Sequence, residues 1–193
     1  MKKANALTIL VLVFLSCHEA GKTNHPIHLQ DQEDRKTDSA TNDVAGQPSL
    51  LHPETLLTKA DAEEILGQPA QLADSVTTVI ADTMEYKSAY KANARDVKTG
   101  KTGIIYFLFE RYARVSIARD VYSSIKTGNE NHEGFRIMHD MGDEAYFHSD
   151  GQNFLFVIVR KGEKMFRIKV NKITSTTSLD KFNQIVKKIS DAL

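Results

Sequence analysis

The chain has 193 residues, 41% hydrophobic and 26% charged, with 25 basic and 25 acidic side chains. That is enough apolar content for one domain with its own core, and the balanced charge offers no basic face of the kind nucleic acid requires. A single cysteine, Cys17, excludes disulfides, Cys-based zinc sites and a thiol nucleophile from the part of the chain beyond it.

The amino terminus reads as an export leader. Lys2 and Lys3 precede an apolar run over residues 4–16. A positive start followed by a short apolar core is the pattern of a secretory signal, and the run is too short to span a bilayer as an anchor. It ends in Phe14-Leu15-Ser16-Cys17, which resembles the lipobox of bacterial prolipoproteins, with Phe14 where leucine is usual. The resemblance implies diacylglycerol on the Cys17 thiol, cleavage after Ser16 and acylation of the new amino terminus. Several acyl chains anchor a protein stably where one binds only marginally. Cleavage removes Lys2 and Lys3, so 25 bases become 23 against 25 acids. His18 follows the cysteine where an aspartate would retain the protein in an inner membrane. The expected location is the cell envelope, on the outer membrane facing the periplasm if the source is Gram-negative.

Residues 17–50 read as a tether. Acids dominate, apolar residues are sparse and without period, and such a segment buries too little surface to offset its ordering entropy. His18, His25 and His28 are read as linker residues rather than ligands, because a metal site needs pre-positioned donors.

Residues 51–193 read as the globular domain. Thr58-Lys59-Ala60-Asp61 resembles a capping box, and Gly67 with Pro69 stops a helix of about two turns. Residues 76–81 are β-branched and read as a strand. Residues 85–92 alternate, with Tyr86, Ser88 and Tyr90 on one face and Lys87, Ala89 and Lys91 on the other. After a turn at 98–103, residues 104–109 are apolar throughout, as in a central strand covered on both faces. Ile117, Ala118, Val121, Tyr122 and Ile125 mark one face of a helix over 113–126. Short strands at 135–139 and 145–147 flank a turn at 141–144. Ser149-Asp150-Gly151-Gln152 and Lys161-Gly162-Glu163-Lys164 read as hairpin turns around strands at 154–160 and 165–170. The last helix starts near Ser178 and buries Leu179, Phe182, Ile185, Val186 and Ile189. Hairpin-linked strands between helices predict an α+β fold: an antiparallel sheet with flanking helices.

Short motifs carry a family likeness across residues 57–193. They are Leu57-Thr58-Lys59-Ala60-Asp61, Leu66-Gly67-Gln68-Pro69, the segment Met141-Gly142-Asp143-Glu144-Ala145-Tyr146-Phe147, and Val159-Arg160-Lys161-Gly162. In these the chain resembles small bacterial lipoproteins of unknown function with a PsbP-like α/β/α sandwich. The resemblance implies a sandwich fold in the cell envelope and brings no catalytic residue with it.

The densest polar cluster is His139, Asp140, Asp143, Glu144 and His148. Carboxylates and imidazoles at this density suit a divalent metal or acid–base work. The alternative is a turn whose acids bond backbone amides around a left-handed Gly142. No HExxH, CxxC or GxSxG occurs, and Gly100-Lys101-Thr102 lacks the upstream glycine of a phosphate loop. Tyr86, Tyr90, Tyr106, Phe107, Phe109, Tyr112, Phe154 and Phe156 are expected in the core, with a pocket or groove as the other option. The sequence therefore predicts a membrane-tethered, non-enzymatic binding or accessory module with no cofactor. Its expected partner is an envelope protein or a small hydrophobic ligand, not nucleic acid. The alternative is a metal-dependent or acid–base enzyme built on the cluster at 139–148.

Overall fold

The computed structural model describes residues 51–193. The leader, Cys17 and the tether with its three histidines lie outside the described residues. After a single 3-10 turn at Pro53–Thr55, the order is α1 (Lys59–Leu66), β1 (Ala70–Ile80), β2 (Thr83–Ala92), β3 (Ile104–Arg111) and α2 (Val115–Thr127). Then come β4 (Phe135–Met138), β5 (Glu144–Ser149), β6 (Phe154–Lys161), β7 (Lys164–Asn171) and α3 (Leu179–Ala192). The seven strands form one antiparallel sheet in the order β1-β2-β3-β7-β6-β5-β4. This is the α+β class that the sequence predicts.

Local chemistry sets the helix ends. Thr58 Oγ1 accepts the Asp61 amide at 3.2 Å, and Asp61 Oδ2 accepts the Thr58 amide at 2.8 Å, closing the capping box. Gly67 ends α1 in the left-handed conformation, φ +65°. A Cβ there would lie 2.2 Å from the Thr176 carbonyl oxygen, so glycine lets the 172–178 connection pass against the helix end. Ser178 caps α3 by accepting the Lys181 amide at 3.2 Å.

Strand alternation divides the core in two. On one face Phe107, Phe109, Phe166, Ile168, Val157 and Val159 meet Ile65 and Leu66 of α1 and Phe182, Val186 and Ile189 of α3. On the other, Tyr146, Ile158 and Met165 meet Ala118 and Tyr122 of α2. Among the described residues no helix is long and apolar enough to cross a membrane.

Three local expectations need correction. β1 begins at Ala70, six residues before the predicted start; it is an edge strand with a register shift between Leu72 and Asp74, and its first half, exposed on both faces after Ala70, shows no alternation. β3 is covered on one face only, because α2 lies over β6 and β7 and leaves Tyr106 45% exposed. Leu179 is not part of the buried stripe of α3: it sits at the first helical position, 42% exposed.

Candidate functional site

An apolar concavity on the face of the sheet covered by α1 and α3 is built around β4 and β5. Gly134 precedes β4 with φ +81°, and a Cβ there would lie 1.8 Å from the Ser149 carbonyl oxygen. Glycine thus lets β4 start hard against the end of β5. The register that follows sets Phe135 opposite His148 and Arg136 opposite Phe147. Arg136 and Phe147 therefore share the face covered by α1 and α3. The Arg136 guanidinium lies 4.3 Å from the centre of the Phe147 ring, a cation–π contact. Phe147 in turn meets Phe182 of α3 edge-on, with centroids 6.2 Å apart.

Two rigid walls enclose this surface. One is the β5–β6 turn. Asp150 Oδ1 accepts the amides of Gln152, Asn153 and Phe154 at 3.0, 2.7 and 3.2 Å. Burial pushes the Asp150 carboxyl up, but these bonds and that from the Asn153 side chain outweigh it and hold it well below the usual range. Lys101 Nζ ties the turn to the β2–β3 loop through the Gln152 carbonyl at 3.0 Å. The other wall is the connection from β7 to α3. Asp96 accepts the Ser175 amide at 2.7 Å and its hydroxyl at 2.8 Å, besides the Thr99 hydroxyl at 2.6 Å. The Thr99 hydroxyl and the Ser175 amide hold the Asp96 carboxyl far below its ordinary value. The Ile173 amide donates to the Asn153 carbonyl at 3.0 Å and joins the two walls.

Between them lies a cleft of about 460 Å³. Its floor is Phe147 and Leu155, each 5% exposed, and its sides include Ile173, Thr177 and the outward-facing Leu179. Arg136 stands at its edge. Arg160 and Arg167 are bound to carboxylates, whereas Arg136 forms no ion pair among the described residues. Ligand sites for small molecules span roughly 300–1,000 Å³ and are mostly apolar with a few placed polar groups. This cleft has that size and that composition.

The opposite face carries a depression of about 310 Å³ over β2, β3 and β7, around Ala89, Tyr106 and Leu108. Two of its three cations are engaged by acids: Lys87 pairs with Glu85, and Arg167 Nη2 donates to Glu110 Oε2 at 2.8 Å, while Lys169 lies 5.6 Å from the centre of the Phe154 ring. Burial raises the Glu110 carboxyl above its usual value against the pull of Arg167.

The sequence-predicted cluster divides. Asp143 and Glu144 converge on Arg160, which is only 3% exposed. Arg160 Nε donates to Glu144 Oε2 at 2.6 Å and Nη1 to Asp143 Oδ2 at 2.9 Å. Asp143 also accepts the Gly162 amide at 2.8 Å, and that bond with the Arg160 charge keeps its carboxyl low. His139 and Asp140 line the same shallow surface as the two acids. His148 does not join them. It lies farther along β5, opposite Phe135 and Phe156, with its ring against His132 at 5.6 Å and Phe154 at 5.0 Å. Among the described residues no three His, Asp or Glu side chains are grouped to hold a metal ion. Gly142 takes φ +57°, as the turn reading requires.

Of the aromatic set, Tyr86, Tyr90, Phe107, Phe109 and Tyr112 are buried, Phe156 is half-buried against the α2 cluster, and Phe154 is half-buried beside His148. Of this set only Tyr106 and Phe107 line a depression, the one over β2, β3 and β7, and none lines the cleft beside Arg136. The cleft residues Arg136, Phe147, Leu155 and Ile173 escape sequence reasoning. They come from four separate segments, and the one available signal was a cation alternating with apolar residues in Phe135-Arg136-Ile137. No family model matches the chain, and no curated protein or solved structure matches it.

Proposed function

We propose that the protein is a lipid-anchored component of a bacterial cell envelope whose domain is a non-enzymatic binding module for a small hydrophobic ligand. The observation that supports it is the cleft: a fixed, apolar floor of Phe147 and Leu155 left open between two hydrogen-bonded walls. The carboxylates nearest to catalytic density, Asp143 and Glu144, are already occupied in holding Arg160. The reading places lipid on Cys17, the domain beyond the tether, and the protein on the outer membrane if the cell is Gram-negative. The PsbP-like family reading belongs with this proposal and rests on the short sequence motifs alone.

Native mass spectrometry of the full chain, purified from its own membranes, tests the binding reading. A retained small apolar molecule, lost on Leu155→Gln, is the expected result; a bare mass with crosslinks to an envelope protein would replace the ligand by a protein partner. Stoichiometric zinc lost on His139→Ala would replace it by the metal-dependent enzyme. Labelling with radioactive palmitate tests the anchor, and an unlabelled chain with Cys17 intact would overturn it.

A further inference from the structure

Resting on the binding reading, we propose that the cleft is specific for a single-chain anionic amphiphile, with the acyl chain along Leu155, Ile173 and Leu179 and the anionic head on Arg136, above Phe147. Three features of the site lead to this class of ligand.

The first is the position of the charge. The Arg136 guanidinium stands over the Phe147 ring, and Leu155, Ile173 and Leu179 line the cleft beyond it, so a ligand bound there meets a cation at Phe147 and hydrocarbon along the rest of its length. The second is that the guanidinium is pre-set. The Phe147 ring beneath it restricts the side chain and leaves the edges of the guanidinium open to a bidentate acceptor. Arg160 and Arg167 spend those edges on Glu144, Asp143 and Glu110, but Arg136 has no carboxylate of the protein on it. The nearby acid Asp150 is committed to the amides of its own turn. The third is Leu179. It stands 42% exposed at the start of α3, facing the cleft, where a bound hydrocarbon chain would cover it.

A carboxylate is the simplest head that fits the planar fork, and a fatty acid or a singly acylated phospholipid offers the same arrangement of one chain and one anion. A neutral chain of equal length gains the floor but not the fork. A cationic one meets Arg136 as a like charge. The protein thus discriminates by head group at one residue and by chain at the others.

The test uses the full chain carrying Cys17→Ser, so that no acyl chain of its own is attached. Binding of decanoate, decanol and decyltrimethylammonium is measured by titration calorimetry, each below its micellar concentration. Decanoate is expected to bind about tenfold more tightly than decanol, as one charge-assisted hydrogen-bonded pair on a partly exposed site provides. Arg136→Gln should bring that preference, the ratio of decanoate to decanol affinity, down to about one. Arg136→Lys should keep part of it, because the charge remains and the fork is lost. Leu155→Gln should weaken all three. Thermal unfolding of each variant separates a lost head-group contact from a lost fold. Equal affinity for decanoate and decanol, unmoved by Arg136→Gln, would overturn the head-group assignment and leave the hydrophobic binding reading standing. Absence of binding by every probe, with Leu155→Gln without effect, would overturn both. Decanoylated lysophosphatidylglycerol against free decanoate then distinguishes a lipid headgroup from a free acid.

Discussion

Two buried tyrosines make the sharpest thermodynamic test, because the same deletion should act with opposite sign. Tyr146 is fully buried between α2 and the sheet, 0% exposed, and its hydroxyl has no hydrogen-bond partner. Burial pushes its phenol up to about 12. A buried hydroxyl without a partner costs roughly 1–3 kcal/mol in lost hydration. Tyr146→Phe removes that cost and keeps the ring contacts with Phe135, Phe156 and Tyr122, whose centroids lie 4.8, 5.9 and 6.0 Å away. The variant should be about 1–2 kcal/mol more stable. For a domain of this size that is a rise of about 2–8 °C in Tm, at roughly 2–4 °C per kcal/mol. Tyr90 is 6% exposed, but its hydroxyl donates to the Leu57 carbonyl at 3.2 Å. Tyr90→Phe should therefore lose about 1 kcal/mol. Urea unfolding of both variants, with m-values compared to the parent, gives the two signs directly. A destabilised Tyr146→Phe would mean that its hydroxyl is bonded to an ordered water within the α2 core, and the account of that core would have to change.

Other perturbations follow from the same geometry. Asp143→Asn with Glu144→Gln leaves a buried guanidinium without a counter-charge and should cost about 3 kcal/mol, whereas Arg160→Met leaves two half-exposed acids in water and should cost clearly less; urea midpoints rank the two. Gly134→Ala forces a Cβ against the Ser149 carbonyl in a left-handed conformation and should cost at least about 1–2 kcal/mol, with faster amide exchange confined to β4 and the end of β5. Acid should unfold the domain through its depressed carboxyls. Asp61 is pushed up by burial but held down on balance by Lys188 and the Thr58 amide and hydroxyl, while Asp96, Asp143 and Asp150 are likewise lowered. Their contribution is complete above the ordinary aspartate value near 3.9 and is lost as the pH falls through the lower folded-state values. Circular dichroism between pH 5 and 1 reads this, and a transition centred above pH 5 would contradict it.

The elements that local sequence determines were legible, and those made by distant pairing were not. The cap at Thr58, the stop at Gly67 and the stripe of Phe182, Ile185, Val186 and Ile189 need only neighbours within a few turns, and the structure has them. β1 was half hidden because Gln71, Asp74 and Ser75 lie on a hairpin edge exposed on both faces, where burial imposes no alternation. Periodicity puts Leu179 in the stripe because it cannot tell a core position from the rim of a cleft. The polar cluster at 139–148 was visible as density, but the chain turns at Gly142 and runs on along β5, so His148 leaves the two acids behind. The cleft had no sequence signature. Arg136 acquires its setting from Phe147 across a strand pair, and its walls are drawn in by Asp96 and Asp150 from elsewhere.

The strand order has a consequence for how the chain is put together in time. β1, β2 and β3 form one meander and β4, β5 and β6 another, and the strand that joins them, β7, is the last to leave the ribosome. Until it arrives, β3 and β6 each present an open edge, and Phe107 and Val157 have no Ile168 between them. Nascent chains shorter than β7 hold two half-sheets with no shared centre. The closing step, insertion of one strand along eight residue pairs on each side, commits both halves at once, so the sheet keeps its centre pending until its seventh strand is made.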